Sequence, residues 1–364
     1  MDQNPKRILQ VVTYMGRGGI ETMLMNYYRH MDRSKVQFDF LVHRDFAGDF
    51  DEEIASMGGK IYRVRPMNPL NPGYWHDLLT FFRTHPYEIV HCHLNFKSGI
   101  VLAAAKLAGV PVRIAHAHTA SMEKDWTQIP RRIMRTLIAP NTTAMLACSQ
   151  NAGQAIFGKH PFRFFPNAMD VAAFRYQDSV RREKRLELDL AGAFTVMHVG
   201  RFGTEKNHRF LLDVFARLRE AEPNAKLVLI GDGALKMEME ERAKLMFPEG
   251  AVQFLGIRTD IPELLQAADV FAFPSRFEGL PVTMIEAQAA GLPCVMSDTV
   301  TDECIVTDLV TTLPIDDPKV WADTIAQKRG IPRTDRLAEI QAAGYDITTA
   351  AEKLTRVYLS GESL

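Results

Sequence analysis

The chain has 364 residues, 46% hydrophobic and 24% charged, with a formal net charge of −1. That is enough apolar material for two globular cores, and it excludes a disordered chain, a repeat array or a nucleic-acid binder carried by bulk positive charge. The charge is uneven: residues 1–168 carry 20 basic against 13 acidic side chains, and residues 169–364 carry 23 against 31. The N-terminal half is therefore expected to meet something anionic.

Short apolar runs alternate with helix-period segments from end to end. The first half predicts strands at Ile8–Thr13, Phe38–Val42, Ile61–Val64, Ile89–His93, Val112–His118, Ala144–Cys148 and Arg163–Phe165. In the second half they fall at Thr195–Val199, Lys226–Ile230, Val252–Leu255, Val270–Phe273 and Cys294–Met296. Most are followed by Gly, Asn or Ser and then a helical pattern, as at Ile20–His30 and His208–Ala221. Continuous rather than alternating hydrophobicity marks strands buried on both faces, hence parallel sheets covered by helices. Two consecutive sets of such units predict an α/β protein of two doubly wound Rossmann-like domains facing across a cleft. The join lies near Pro166-Asn167-Ala168-Met169-Asp170, and the amphipathic segment Ile347–Leu359 closes the chain. The expected domains are 1–168 plus 346–364 and 169–345. Cys92, Cys148, Cys294 and Cys304 match no metal-finger spacing and read as thiols of a reducing compartment. The apolar stretch Arg7–Tyr14 is only strand-length, and no run approaches the roughly 18 residues of a membrane span. A cytoplasmic protein is expected.

In open parallel sheets ligands bind at the carboxyl ends of strands. Two turns there carry chemistry. Phe277-Glu278-Gly279-Leu280-Pro281 follows the strand Val270–Phe273 and leads through Glu286 to Gly291. Pro281 suits a first helical turn, so free N–H groups near Gly279, Leu280 and Val282 stand at the positive end of a helix dipole, a ready phosphate site. Glu278 and Glu286 lie up to about 12 Å apart along such a helix, roughly the reach of a sugar nucleotide from its ribose to its sugar. The second turn, Gly200-Arg201-Phe202-Gly203-Thr204-Glu205-Lys206-Asn207, offers Arg201 and Lys206 to a growing diphosphate charge. In the first half Gly16-Arg17-Gly18-Gly19-Ile20-Glu21 lacks the spacing of the dinucleotide fingerprint but lets backbone approach a substrate. His91/His93 and His116/His118 are His-x-His pairs at strand ends, each pair on one face of its strand. With Glu123 or Asp125 recruited they would suit a metal-dependent hydrolase. Asp49-Phe50-Asp51 reads as a helix-capping turn.

Read together, Gly18-Gly19-Ile20-Glu21, His91-Cys92-His93, Ile114 to Thr119, Ala147-Cys148-Ser149, Pro166 to Asp170, Gly200-Arg201-Phe202 with Lys206-Asn207, Ile230-Gly231-Asp232-Gly233 and the double-glutamate stretch resemble the retaining, GT-B-fold glycosyltransferases of family 4. The variant looks like the exopolysaccharide and capsule branch. The resemblance implies Arg201 and Lys206 on a donor diphosphate, Glu278 on donor-sugar hydroxyls and Glu286 on the ribose. It further implies Gly18, Gly19, Gly279 and Leu280 against the donor, His118 beside the reaction centre (His116 is the register alternative) and a terminal helix that returns to the first domain. Asn167-Ala168-Met169-Asp170 departs from the family's Asn-Gly-Val-Asp, and Thr299 to Glu303 lacks its glycine-rich turn.

The expected activity is retaining transfer of a hexose from a nucleoside-diphosphate sugar, UDP favoured, to a glycan or lipid-linked acceptor, with no metal and no other cofactor. Cell-surface polysaccharide synthesis is the expected setting. A sugar-nucleotide epimerase is the second reading and the metal-dependent hydrolase the third. The basic segment Ile129–Ile138 predicts peripheral contact with anionic lipid at the inner face of the membrane.

Overall fold

The computed structural model describes residues 4–119 and 128–360. They divide into two compact units, Met1–Met169 with Gly344–Leu364, and Asp170–Ala343.

The first unit holds a seven-stranded sheet of β1 (Lys6–Val12), β2 (Val36–Val42), β3 (Ile61–Arg63), β4 (Ile89–Cys92), β5 (Val112–Ala117), β6 (Ala144–Ala147) and β7 (Arg163–Phe164), ordered β3-β2-β1-β4-β5-β6-β7. The second holds six strands, β8 (Thr195–Val199), β9 (Lys226–Ile230), β10 (Val252–Phe254), β11 (Val270–Phe273), β12 (Cys294–Ser297) and β13 (Val310–Leu313), ordered β10-β9-β8-β11-β12-β13. Every pairing is parallel, so both sheets are doubly wound, as the continuous apolar runs predict. The strand order reverses between β1 and β4 in one sheet and between β8 and β11 in the other. In this topology the crevice that receives ligands opens there.

All twelve expected strands are present, their ends shifted by a residue or two. One more, β13, has no counterpart among them. It is an edge strand, half exposed, and its Val-Thr-Thr-Leu lacks the unbroken apolar run of a strand buried on both faces.

One face of the first sheet buries Ile8, Val12, Phe38, Phe40, Ile89, Ile114 and Leu146 under the helices Gly19–His30 and Ile347–Ser360. The last helix supplies Ile347, Ala350, Ala351, Leu354 and Tyr358 to this core. Burial of Ile347 and Leu354 alone is worth roughly 4 kcal/mol, which makes the helix an integral part of the unit. In the second unit β8, β9 and β11 pack against the helices His208–Ala221 and Pro318–Ala326, with Trp321 fully buried between them.

Candidate active site

The turns that leave β8 and β11 are neighbours because those strands pair at the reversal point of the second sheet. After β8 the chain passes Gly200 and a single 3-10 turn, Thr204–Lys206. Asn207 then takes a left-handed conformation (φ 56°), one that asparagine tolerates, and the helix His208–Ala221 begins. The neighbouring glycines hold this turn in place. Gly231 (φ 137°) and Gly233 (φ 154°), after β9, lie so close to the backbone of Gly200 and Phe202 that no side chain fits. An added Cβ at Gly200 would stand 2.9 Å from His198 Nε2 and 3.1 Å from the Lys206 stem, so glycine there lets the lysine lie across the turn.

Lys206 thereby reaches Glu278 on the other turn, Nζ to Oε1 2.8 Å, and sits 4.6 Å over the Phe273 ring. The Arg276 N–H donates to the Glu205 carbonyl at 2.8 Å and completes the clasp. The pairing refines the sequence expectation, which gave Lys206 to phosphate and Glu278 to sugar hydroxyls as separate elements. Here each neutralises the other, and Lys206 keeps further ammonium protons for a ligand. Arg201, by contrast, is held by Glu205 at 2.7 Å, and its side chain remains 75% exposed.

Pro281 stands at the N-cap, one position earlier than expected, and the helix runs Val282–Ala289. No side chain caps it, and among the described residues the N–H groups of Gly279, Leu280, Val282 and Thr283 find no carbonyl outside the helix. Glu286 lies within this helix among Met284, Ile285, Ala287, Gln288 and Ala289, all buried. Glu286 itself is half-buried, and the burial of its carboxyl pushes it up to about 7. Gln288 ties the helix to the following loop: its Oε1 accepts from the Val306 and Thr307 N–H groups, both at 2.9 Å, and its Nε2 donates to the Cys304 carbonyl at 2.7 Å. The glycine-free loop is a short 3-10 turn, Asp302–Cys304, capped by Thr301, and Thr299 anchors its start to the Ser275 carbonyl.

In the first unit Gly18 is the N-cap of the helix Gly19–His30, again without a side-chain cap. Neither Gly18 nor Gly19 has a positive φ, and a Cβ on Gly19 would meet nothing within 4 Å. Gly19 serves no packing need inside the protein, whereas a Cβ on Gly18 would collide with the Glu21 carboxylate, which lies at the helix end.

The four histidines form a buried polar layer. On the core face Ile8 is followed by Gln10, Ile89 by His91 and His93, and Ile114 by His116 and His118; Gln10 pairs with His91 and His91 with Ile114, so the third strand turns polar one step later than the other two. All five polar side chains are at most 8% exposed. Burial holds His91 down to about 3 and His118 to about 4, with His93 and His116 also well below the usual imidazole range, so all four are neutral. His93 Nδ1 is 2.9 Å from His118 Nε2, and the His118 N–H donates to Asn95 Oδ1 at 2.8 Å. His91, His93 and His116 each bring a ring nitrogen within 4.8 Å of the others, the spacing of a metal cluster. However, both nitrogens of His93 are hydrogen-bonded, to His118 and Gln10, so a metal on all three histidines would have to break one of these contacts; His91 Nδ1 is engaged by Tyr358 at 2.7 Å, which leaves its Nε2. Glu123 and Asp125, the carboxylates suggested for that purpose, lie outside the described residues.

The remaining sequence-singled segments resolve as follows. Asp49 caps nothing; Phe50 is the N-cap of the helix Asp51–Ser56, and Asp51 pairs with Arg63. In the helix Gln128–Thr136, Arg131 lies over the Phe96 ring and Arg135 donates to the Ile156 carbonyl, while Arg132 is exposed beside Ile133, 62% exposed. The side chains of Ile129 and Pro130, also part of that expectation, are outside the described residues. Among the described residues no helix is long and apolar enough to cross a membrane. Two open recesses, of about 490 and 630 Å³, lie at the amino ends of the strands, away from both groups of turns.

Residues 17–173 match the sequence profile described as Glycosyltransferase Family 4, and residues 193–328 match that of Glycosyl transferases group 1. The chain is 40% identical to EpsF of Bacillus subtilis, a protein named as a glycosyltransferase, over 98% of this chain and 97% of that one. It is 24% identical to the capsular polysaccharide biosynthesis glycosyltransferase CapH of Staphylococcus aureus, covering 97% and 99%. Among solved structures, Anabaena HepE in complex with UDP and glucose superposes with a TM-score of 0.80 at 20% identity, covering 98% and 99%. The sequence elements, the two doubly wound units and these similarities agree, and the chain belongs to the group 1, family 4 glycosyltransferases of GT-B fold.

Proposed function

We propose that this glycosyltransferase moves a hexose from UDP-sugar to a glycan or lipid-linked acceptor, with retention and without a metal ion, in cell-surface polysaccharide synthesis. The observation that carries the donor assignment is the clasp of the second unit. Uncapped N–H groups at the start of the helix Val282–Ala289 and the ammonium of Lys206 are gathered at the reversal point of one sheet. Phosphate is the ligand class such a helix end and cation attract. In this reading Gly279, Leu280, Lys206 and, after release from Glu205, Arg201 hold the diphosphate. Glu278 accepts from sugar hydroxyls and Glu286 from the ribose. Gly18 and Gly19 admit the donor to the first unit, and His118 lies beside the donor sugar.

As the bond from the anomeric carbon to the diphosphate oxygen breaks, positive charge grows on carbon and negative charge on phosphate, and the cations stabilise the latter. The acceptor hydroxyl attacks from the same face while the departing phosphate takes its proton. UDP is favoured because Anabaena HepE, of the same fold, is solved with UDP and glucose, and a polysaccharide setting because CapH is named for one. The exposed Arg132 and Ile133 support contact with anionic lipid. Flotation with anionic but not neutral vesicles is the expected result.

A thermal-shift screen of UDP-, GDP- and ADP-sugars tests the donor, since a ligand of the native state raises its apparent stability. NMR of the product reads the anomeric configuration, and assay after chelation reads metal dependence. Stabilisation by none of the nucleotide sugars, or inversion at the anomeric carbon, would overturn the corresponding part. The metal-hydrolase reading requires stoichiometric metal in the purified protein, which elemental analysis measures.

A further inference from the structure

Three of the four histidines in the buried layer of the first unit, His91, His93 and His118, lie on one continuous hydrogen-bond chain. From one end, the Tyr358 hydroxyl meets His91 Nδ1 at 2.7 Å and Gln10 Nε2 at 3.2 Å. Gln10 Oε1 then meets His93 Nε2 at 2.9 Å, and His93 Nδ1 meets His118 Nε2 at 2.9 Å. Neutral imidazole carries one proton, so the direction of the Gln10–His93 link decides that of the His93–His118 link. A carboxamide is the one member with a fixed donor end and a fixed acceptor end.

We propose that Gln10, held by Tyr358, is a positioning residue that sets the tautomer of His118. With its amide oriented as described, Gln10 Oε1 accepts, so His93 carries its proton on Nε2. His93 Nδ1 is then a lone pair and accepts from His118 Nε2–H. His118 Nδ1 is left as the unprotonated nitrogen, with the Asn167 side chain beside the ring. In the other direction Gln10 Nε2 donates to the Tyr358 hydroxyl, whose proton goes to His91 Nδ1. Turning the amide over reverses each of these roles and presents His118 Nδ1–H instead. A donor-sugar hydroxyl therefore meets an acceptor at His118, and the choice is made two links away by a strand residue that the last helix holds. The catalytic consequence rests on the proposed place of His118 beside the donor sugar; the tautomer assignment does not.

The experiment uses the full-length protein labelled with 15N at histidine. Long-range proton–nitrogen NMR reads the tautomer of each ring, alongside steady-state kinetics. In the wild type, His93 and His118 are both expected as Nε2–H. Gln10→Glu keeps an acceptor for His93, so it should keep the His118 tautomer and most of kcat. Gln10→Leu removes both ends of the amide: His118 should lose its single tautomer. Then kcat should fall at least about tenfold, the size of effect that outer partners of a functional histidine carry, with KM for the donor little changed. Circular dichroism confirms that both variants fold; if Gln10→Leu does not, Tyr358→Phe, which frees the amide to turn over, takes its place in the same comparison. An Nδ1–H tautomer at wild-type His118, or one unaltered by Gln10→Leu, overturns the proposal. Wild-type turnover in His118→Ala would instead overturn the role given to His118, and leave the NMR result to judge the chain on its own.

Discussion

Glu286 offers the sharpest physical test of the second unit. Its carboxyl ordinarily titrates near 4.5, and burial in the helix Val282–Ala289 pushes it up to about 7 in the folded chain. Between those values the native state holds a proton that the unfolded state has lost. Stability contributed by this group is therefore fully present below pH 4.5, falls as the pH rises to 7, and is level above it. Each pH unit across the interval is worth about 1.4 kcal/mol, so the whole loss is about 3 kcal/mol. Glu286→Gln keeps the shape and removes the titration. Urea unfolding at pH 5 and pH 8 measures it, followed by fluorescence, to which the buried Trp321 of the same unit contributes. Relative to wild type, the variant should gain about 3 kcal/mol between the two pH values. A difference between variant and wild type that is the same at both would refute the burial argument. A second arm links the residue to ligand. Ribose hydroxyls donate to the ionised carboxylate, so UDP affinity should strengthen as the pH rises through about 7 in the wild type, and Glu286→Gln should lack that rise.

Three further outcomes follow from other contacts. Lys206→Ala should lower kcat by about 10² to 10³, the usual loss of one donor to a developing anion, and Lys206→Arg should recover only part, because the guanidinium does not fit the contacts with Phe273 and Glu278; retained turnover in Lys206→Ala would remove the lysine from the site. Tyr358→Phe leaves Gln10 Nε2 and His91 Nδ1 without partners in the core, and thermal unfolding should show a loss of about 3 kcal/mol, from two orphaned groups at roughly 1 to 3 kcal/mol each. Gln288→Leu should cost a similar amount, about 3 kcal/mol, because the Val306 and Thr307 N–H groups lose their acceptor; nuclease-free limited proteolysis should then cut the loop after β12 faster, and an unchanged rate would show that the loop holds its shape without the glutamine.

Which features were legible in the sequence follows from where their physical signal resides. Twelve strands stood out because each carries its own apolar run, and β13 did not because an edge strand needs none. The turns after β8 and β11 were recognisable one at a time by residue type. Their clasp was not, since Lys206 and Glu278 are distant in sequence and become neighbours only through the pairing of β8 with β11. The His-x-His spacing placed each pair on one strand face, yet gave no hint of what would satisfy it. The partner was Tyr358, carried back by the last helix over 267 residues. One letter did hold a usable clue. Gln10 interrupts Lys-Arg-Ile-Leu-Gln-Val-Val in a strand whose neighbours are buried on both faces, and a buried carboxamide has to find a donor and an acceptor or else destabilise the fold. Glu286 carried a similar one: a helix with buried residues on nearly every side puts any carboxylate within it in a low-dielectric setting, whatever its distance from Glu278. Polar residues inside apolar patterns, more than motifs, mark where this fold departs from its own packing rules, and both of those named here lie in the elements that the proposed chemistry needs.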